Sequence, residues 1–468
     1  MNKSLLVGAL LALQGCVSLL PPNNPPIQQV KSDQGYRLGA ASNKPIGEHQ
    51  IMLAFSGGGT RAAALSYGVM QELRDTRIAV AGQPVRLLDE VDVISSVSGG
   101  SFTSAYYGLY GDDLFNNYED EFLRRSVQGS LVDNLLSPTY WFQAMFSGIN
   151  RTDMAVNFYD RSLFHGKTFA DIPLDRRPFI DINATDLSNG THFSFTQTYF
   201  DLFCSDLQQF SVARAVTASS AVPVAFPPVT LKNNAASCSL ENTYLERLLA
   251  KNASVDSRAQ RLIKLANGYR NAEAHPYIHL VDGGVADNLG LRTALDRNAL
   301  LGTNVREWLA AKPVKTVMVI LVNAEVQSAK SIDQTYQAPS IAQTAGALTD
   351  GLISQYTVET RERVRAQMQQ YQQDADAAGL DVQFYFIEVD FASLDSPSLK
   401  QYFNALPTSL ELSNAEIDNL IDAGRTLLRG SAQFQQFMGS HQGERVPSPK
   451  ALKPCTLFSP LNCVAAGS

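Results

Sequence analysis

Residues Val91-Asp-Val-Ile-Ser-Ser-Val-Ser-Gly-Gly-Ser101 decide how the chain is to be read. Val91 to Val97 is an apolar, β-branched run that favours a strand. It breaks at Ser98-Gly99-Gly100, and Ser101-Phe-Thr-Ser-Ala-Tyr-Tyr107 can begin a helix. Strand, sharp turn and helix hold the turn's serine up with its hydroxyl exposed, the geometry of a nucleophile elbow. Ser96-x-Ser98-x-Gly100 meets that pattern except at its first glycine, where Ser96 fits if its backbone angles are ordinary. A Ser/Gly-rich run is also what a plain turn looks like, so the reading depends on partner motifs.

Upstream, Gln50-Ile-Met-Leu-Ala-Phe55 is a short apolar strand candidate, followed by Ser56-Gly57-Gly58-Gly59-Thr60-Arg61 and a helical pattern from Ala62 to Leu73. Such a loop exposes backbone N–H groups at a helix N-terminus, where negative charge is favoured. No Gly-Lys-Ser/Thr follows, as a P-loop would require, and no acidic ribose partner is evident. Beside an exposed serine, the loop suits a transition-state oxyanion, for which one donor is worth roughly 3 to 4 kcal/mol. Downstream, Tyr277-Ile-His-Leu-Val-Asp282 runs into Gly283-Gly284. This places Asp282 at a strand's carboxyl end, where open α/β sheets present ligands; a lone acid there is also a common turn former.

Strand and helix patterns alternate elsewhere. Phe179 to Thr185 and His192 to Thr198 read as strands around Ser188-Asn-Gly190, and the stretch from Val212 as a small-residue helix ending before Pro223. Thr316 to Val322 and Val382 to Val389 are further strands, with helices expected near 340–375 and 413–439. Helices are also expected from Asp112 to about Asp160, including Tyr140-Trp141-Phe142 and Met145-Phe146, an aromatic cluster suited to a packed helix or to a lipid-facing lid. Residues 241–271 read as a charged helical insertion. The alternation favours an α/β fold whose largely parallel sheet is covered on both faces.

Gly57-Gly58-Gly59-x-Arg61, Ser98 in its elbow and Asp282-Gly283-Gly284, in that order, resemble the patatin-like phospholipase family. The likeness runs from about residue 50 to 290, more weakly through Ala215 to Pro228 and the C-terminal elements. It implies a three-layer α/β/α fold with a mostly parallel sheet, a Ser98/Asp282 dyad and an oxyanion hole from the amides of Gly57, Gly58 and Gly59. Arg61, Ser96, Gly100, Gly283 and Gly284 are its supporting motif residues. Asp282 takes the proton of Ser98 as it attacks an acyl ester, and water later releases the acyl group. The expected activity is phospholipase A or lysophospholipase chemistry, with no metal or organic cofactor. Other readings are acyl transfer to another acceptor, and a non-catalytic lipoprotein that binds lipid or a partner. A hydrolase triad of Ser98, Asp282 and His441 has the right chain order, but Gly439-Ser-His-Gln-Gly-Glu444 reads as a surface loop. His279, three residues before Asp282 on a strand, points to the opposite face. Pro276 argues against a helical metal pair of His275 and His279, and no HExxH or Cys-x-x-Cys occurs.

The 468 residues carry 45% hydrophobic side chains, enough for a large core. A net charge of -7 without a long basic block argues against nucleic acid as a partner. Lys3, the apolar run Leu5 to Leu13 and Leu13-Gln-Gly-Cys16 read as a bacterial lipoprotein signal. The run is shorter than the roughly 20 residues of a membrane span. Cys16 is then the lipidated first residue, each buried methylene contributing about 0.8 kcal/mol to membrane binding. A plain secretory signal with a chance cysteine is the alternative. Val17 suits outer-membrane sorting, so a lipid-anchored envelope protein is expected. Cys204, Cys238, Cys455 and Cys463 form an even set, compatible with two disulfides in any of three connectivities, local pairing among them, or with free buried thiols. The division expected is a signal peptide at 1–15, a lipidated tether at 16–48, a catalytic domain at 49–325 and an α/β extension at 326–468 packing on it. Protein partners are not indicated.

Overall fold

A computed structural model describes residues 20–31, 33–38, 47–125, 150–223, 225–239, 257–301, 314–326, 332 and 336–446. The signal-like segment with Cys16, the aromatic cluster at 140–146, residues 241–256 of the insertion, Cys455 and Cys463 lie outside the described residues. In chain order the elements are β1 (His49–Phe55), α1 (Gly59–Arg74), β2 (Thr76–Val80), β3 (Gln83–Arg86), β4 (Val91–Val97), α2 (Gly99–Tyr110), α3 (Arg151–Tyr159), β5 (Phe179–Asp186), β6 (Thr191–Ser194), α4 (Val212–Ser219), β7 (Val229–Lys232), α5 (Ser257–Arg270), β8 (Tyr277–Asp282), α6 (Arg292–Leu301), β9 (Thr316–Asn323), α7 (Ile341–Ala377), β10 (Gln383–Asp390), α8 (Asn414–Gly430), α9 (Ala432–Ser440) and β11 (Glu444–Arg445). Shorter helical turns lie between them.

β10, β9, β1, β4 and β5 pair in that order, all parallel. Covered on both faces, such strands read as mostly apolar runs, clearest in β1 and β9, which is why the sequence exposes them. Side chains alternate between the two faces. Leu53 and Phe55 of β1, Ile320 and Val322 of β9 and Ile387 of β10 join the main core with α1 and α8. Ala54, Leu321 and Phe386 face the other way, onto Leu295 of α6 and Val364 and Met368 of α7. The result is the three-layer α/β/α arrangement with a mainly parallel sheet. A small antiparallel sheet of β11, β2 and β3 lies apart from it.

β8 is antiparallel to β5, with Asp282 opposite Ala184, whereas β4 is parallel to β5, with Val97 opposite Asn183. Both strands use the same edge of β5, end to end. A Cβ built on Gly283 would stand 2.9 Å from Val97 Cγ1 and 2.4 Å from Asn183 O, whereas strands on opposite edges of β5 lie about 10 Å apart. Asp282 thus lies where expected, at the end of its own strand and beside the carboxyl end of β4, but β8 is antiparallel to β5 and delivers it there from the opposite direction.

Two further expectations change. The strand expected to reach Thr198 ends at Ser194, because the Gln197 N–H goes to Tyr36 O (2.8 Å) and its side chain to Asp201, Ser205 O and Leu207 N. A short helix, Gln197–Asp201, follows. The proline-bearing stretch read as a tether is seated on the body over much of its length. Asn24 bonds Ser205 Oγ and Lys232 O at 2.8 Å. Tyr36 is buried against Phe179, and Arg37 pairs with Asp201 at 2.9 Å. Cys204 and Cys238 are disulfide-bonded, the local pairing.

Candidate active site

Ser98 occupies the residue between β4 and α2 with φ 48° and ψ −121°, a backbone conformation that a residue bearing a Cβ adopts only when its surroundings impose it. Those surroundings are specific. Its N–H donates to Ser219 Oγ at 2.8 Å, and the Ser219 hydroxyl donates onward to Asn183 O at 2.6 Å. Ser98 O accepts from the N–H and the hydroxyl of Ser101. Gly99 allows the tightest contact in the elbow, since a Cβ there would meet Gly59 O at 2.0 Å. Gly100 presses likewise on Phe55 and Ser56 O. Ser96 keeps negative φ, and its hydroxyl pairs with Ser104 Oγ at 2.6 Å, so it fills the usual glycine position without strain.

The Ser98 hydroxyl donates to Asp282 Oδ2 at 2.9 Å. Asp282 is held from three sides. Its N–H donates to Ala221 O (2.9 Å), its Oδ1 accepts the Gly284 N–H (2.8 Å), and the next amide, Gly283 N–H, donates to Ser219 O (3.0 Å). The C-terminal turn of α4 therefore holds the serine and the acid alike. Burial pushes the Asp282 carboxyl up to about 6, against the hydrogen bonds from Gly284 and Ser98, which favour its ionised form. Ser98 and Asp282 are each 7% exposed, so the pair is dry but not sealed.

The glycine loop lies beside this pair. A Cβ on Gly57 would be 3.3 Å from Ser98 Cβ and 2.5 Å from Asn288 Oδ1. The Gly57 N–H donates to Asn288 O at 3.0 Å, so Gly57 is corrected as an amide waiting for an oxyanion. The amides of Gly58, Gly59 and Gly99 have no acceptor among the described residues. Gly58 and Gly59 hold φ 135° and 61°, and Gly59 presses on Ser409 O, which also accepts the Thr60 N–H. α1 thus begins at Gly59 and α2 at Gly99, and the two N-termini touch, a place where negative charge is stabilised by unpaired donors and by both helix dipoles. Arg61 is a clamp: its guanidinium donates to Ala324 O, Leu406 O and Thr408 Oγ1 at 2.8 to 3.0 Å, tying the loop to the end of β9 and to residues 406–408. Burial lowers it to about 10.

Among the described residues, no histidine is hydrogen-bonded to Ser98 or Asp282. His441 packs edge-on against His49, ring centroids 4.8 Å apart, at the amino end of β1. The site lies at the other end of that strand, about 20 Å away at 3.3 Å per residue. The triad order is a coincidence of sequence. His279 turns to Thr230 Oγ1 at 3.0 Å. Sequence reasoning missed Ser219, Asn183 and Asn288. For Ser219 the only signal was the small-residue helix before Pro223.

A family model described as patatin-like phospholipase matches residues 53–295, just over half of the chain. No curated protein matches it in sequence. Among solved structures, human GIVD cytosolic phospholipase A2 is similar at 14% identity and TM-score 0.31, covering 58% of this chain and 42% of that one. The same human protein in complex with methyl gamma-linolenyl fluorophosphonate is similar at 13% identity and TM-score 0.37, covering 86% and 60%. The chain thus spans about half the length of these structures, and at such TM-scores the likeness carries no argument about the site.

Proposed function

The chain belongs to the patatin-like phospholipase family, a family of lipid acyl hydrolases, and on that premise we propose that it cleaves acyl esters of membrane phospholipids or lysophospholipids with Ser98 as nucleophile and Asp282 as its base. One observation carries the reading: a serine hydroxyl on a strained elbow, 2.9 Å from a buried carboxylate. Ionised Asp282 accepts the proton as Ser98 Oγ bonds to the ester carbon. The oxyanion faces the amides of Gly58, Gly59 and Gly99, whose donors are in place before charge develops. Collapse expels the alcohol, which takes the proton from Asp282. Water then attacks the acyl-serine, again giving its proton to Asp282, and collapse breaks the bond to Ser98 Oγ, which takes that proton back as the carboxylic acid leaves. The Gly284 N–H on Oδ1 keeps Oδ2 aimed at the serine.

The same proposal includes a lipid anchor at Cys16 and a place in the bacterial envelope, supported by the lipobox-like Leu13-Gln-Gly-Cys16. The test is hydrolysis of phospholipids, lysophospholipids and short-chain esters by the wild-type chain, Ser98→Ala, Asp282→Asn and His441→Ala. Loss of about a hundredfold or more is expected with the first two, and little change with the third. Release of free fatty acid marks hydrolysis, and an acylated acceptor would mark transfer. A folded wild-type chain that cleaves nothing would leave a lipid-binding protein. Mass spectrometry of the mature N-terminus tests acylation of Cys16.

A further inference from the structure

Five of the exposed large apolar side chains among the described residues, Leu187, Val222, Tyr277, Leu348 and Leu352, lie on the sheet's carboxyl side. Ser354 of α7 bonds Glu325, just beyond the carboxyl end of β9, while Gln372 accepts the N–H of Phe384, near the start of β10. α7 therefore runs antiparallel to β9 and β10, and Ile353 touches the Gly284 position, beside Asp282. Residues 341–352 project beyond the sheet's carboxyl edge by about 18 Å at 1.5 Å per residue. On that projection Leu348 and Leu352, one helical turn apart, are 65% and 45% exposed. Val222 (44%) follows Ala221, whose carbonyl holds the Asp282 amide, and Leu187 (51%) follows the carboxyl end of β5. Tyr277 (52%) heads β8, about 17 Å above Asp282 at 3.3 Å per residue.

We propose that this edge, walled by the projecting half of α7 and by the loops bearing Val222 and Leu187, docks on a lipid bilayer and passes acyl chains down to Ser98. The bilayer is the occupant for three reasons. Residues 336–358 contain a single charged side chain, Asp350, where a water-facing helix surface carries many. The rim reaches the dyad, since Ile353 touches the Gly284 position and Val222 follows the residue that holds the Asp282 amide, and the proposed substrate comes from a membrane; in this the inference relies on the proposed function. The N-terminal segment is seated at the same edge, since Asn24 bonds Lys232 O and Lys232 is the register partner of Tyr277. α7 lies outside the residues matched by the family model.

The test uses the full chain in a Ser98→Ala background, with Leu348→Trp as a local probe on phosphatidylethanolamine/phosphatidylglycerol vesicles with and without brominated acyl chains. The expected result is quenching by the brominated chains beyond that of the Ser98→Ala parent, whose Trp141 and Trp308 supply the background. Its absence overturns the proposal, because tethering by the N-terminus alone leaves residue 348 in water. With Ser98 restored, Leu348→Glu/Leu352→Glu is expected to lower hydrolysis of vesicle lipid about tenfold or more, while hydrolysis of a monomeric short-chain ester stays within about twofold. Equal loss on both substrates, or conversion of a dimer to a monomer by the same pair in sedimentation, overturns it in favour of a structural role or a second copy of the chain. The quenching needs no turnover, so failure of the Ser98/Asp282 reading, seen as activity surviving Ser98→Ala, leaves it intact.

Discussion

Ser98 and Asp282 are both held in states they would not choose in water. The backbone of Ser98 at φ 48° costs about 1–3 kcal/mol, and the Asp282 carboxyl is raised from 3.8 to about 6 by burial. Because the folded chain binds that proton more tightly than the unfolded chain, stability falls as pH rises from about 4 through 6 and the loss is complete above it. Ionised Asp282 therefore costs roughly 3 kcal/mol at neutral pH, at about 1.4 kcal/mol per unit. The expected pH profile of kcat/KM climbs with unit slope to a plateau above about pH 6, read with a monomeric ester. Asp282→Asn should abolish turnover yet raise stability at pH 7 by about 1–3 kcal/mol in urea unfolding, with the gain vanishing near pH 4. A destabilised Asp282→Asn would mean that the carboxylate is not the strained member of the pair.

Among elements, the site depends on where helices begin and how closely they approach. α1 and α2 bring their N-termini together only because Gly99 lacks a side chain, whose Cβ would meet Gly59 O at 2.0 Å. α1 is backed by α8 through a second pair of glycines: a Cβ on Gly68 would meet Ile421 O at 2.2 Å, and one on Gly424 would meet Leu65 O at 2.4 Å. Backbone cannot yield as a flexible side chain does, so Gly424→Ala is expected to cost about 1–3 kcal/mol and to lower activity by shifting α1. Gly430→Ala, later on the same helix with open space around it, should be neutral or stabilising by up to about 1 kcal/mol. Denaturation midpoints of the two variants decide the matter, and equal effects would show that the crossing is not tight.

On the scale of the whole molecule, the C-terminal third is part of the same sheet and core. β10 pairs along the whole of β9, and buried Glu72 of α1 is met by Arg425 (3.3 Å), Arg429 (2.8 Å) and Arg445 (2.9 Å). A chain ending at Glu325 would bare the β9 edge and strand that carboxylate, a loss of about 3–5 kcal/mol for the ionic part alone. It is expected to show no cooperative unfolding transition by circular dichroism. A cooperative transition would establish residues 49–325 as an independent domain.

The local features were legible because their causes are local. Runs rich in β-branched and aromatic residues announced β4, β9 and β10, the break at Ser98-Gly99-Gly100 announced the elbow, and Gly57-Gly58-Gly59 before an apolar helical pattern announced the loop. What closes the site is not local. Ser98 meets Ser219 and Asp282 across 121 and 184 residues of sequence, and Gly57 gives its amide to Asn288. Nothing in residue order told His441 from a third catalytic group; the direction of β1 placed it at the far end of the strand. By itself the sequence determined the elements and the chemically able residues, since periodicity and turn chemistry act over a few positions. Only the tertiary structure decided which of them meet, because β4 and β8 share one edge of β5 and so bring serine and acid together head on.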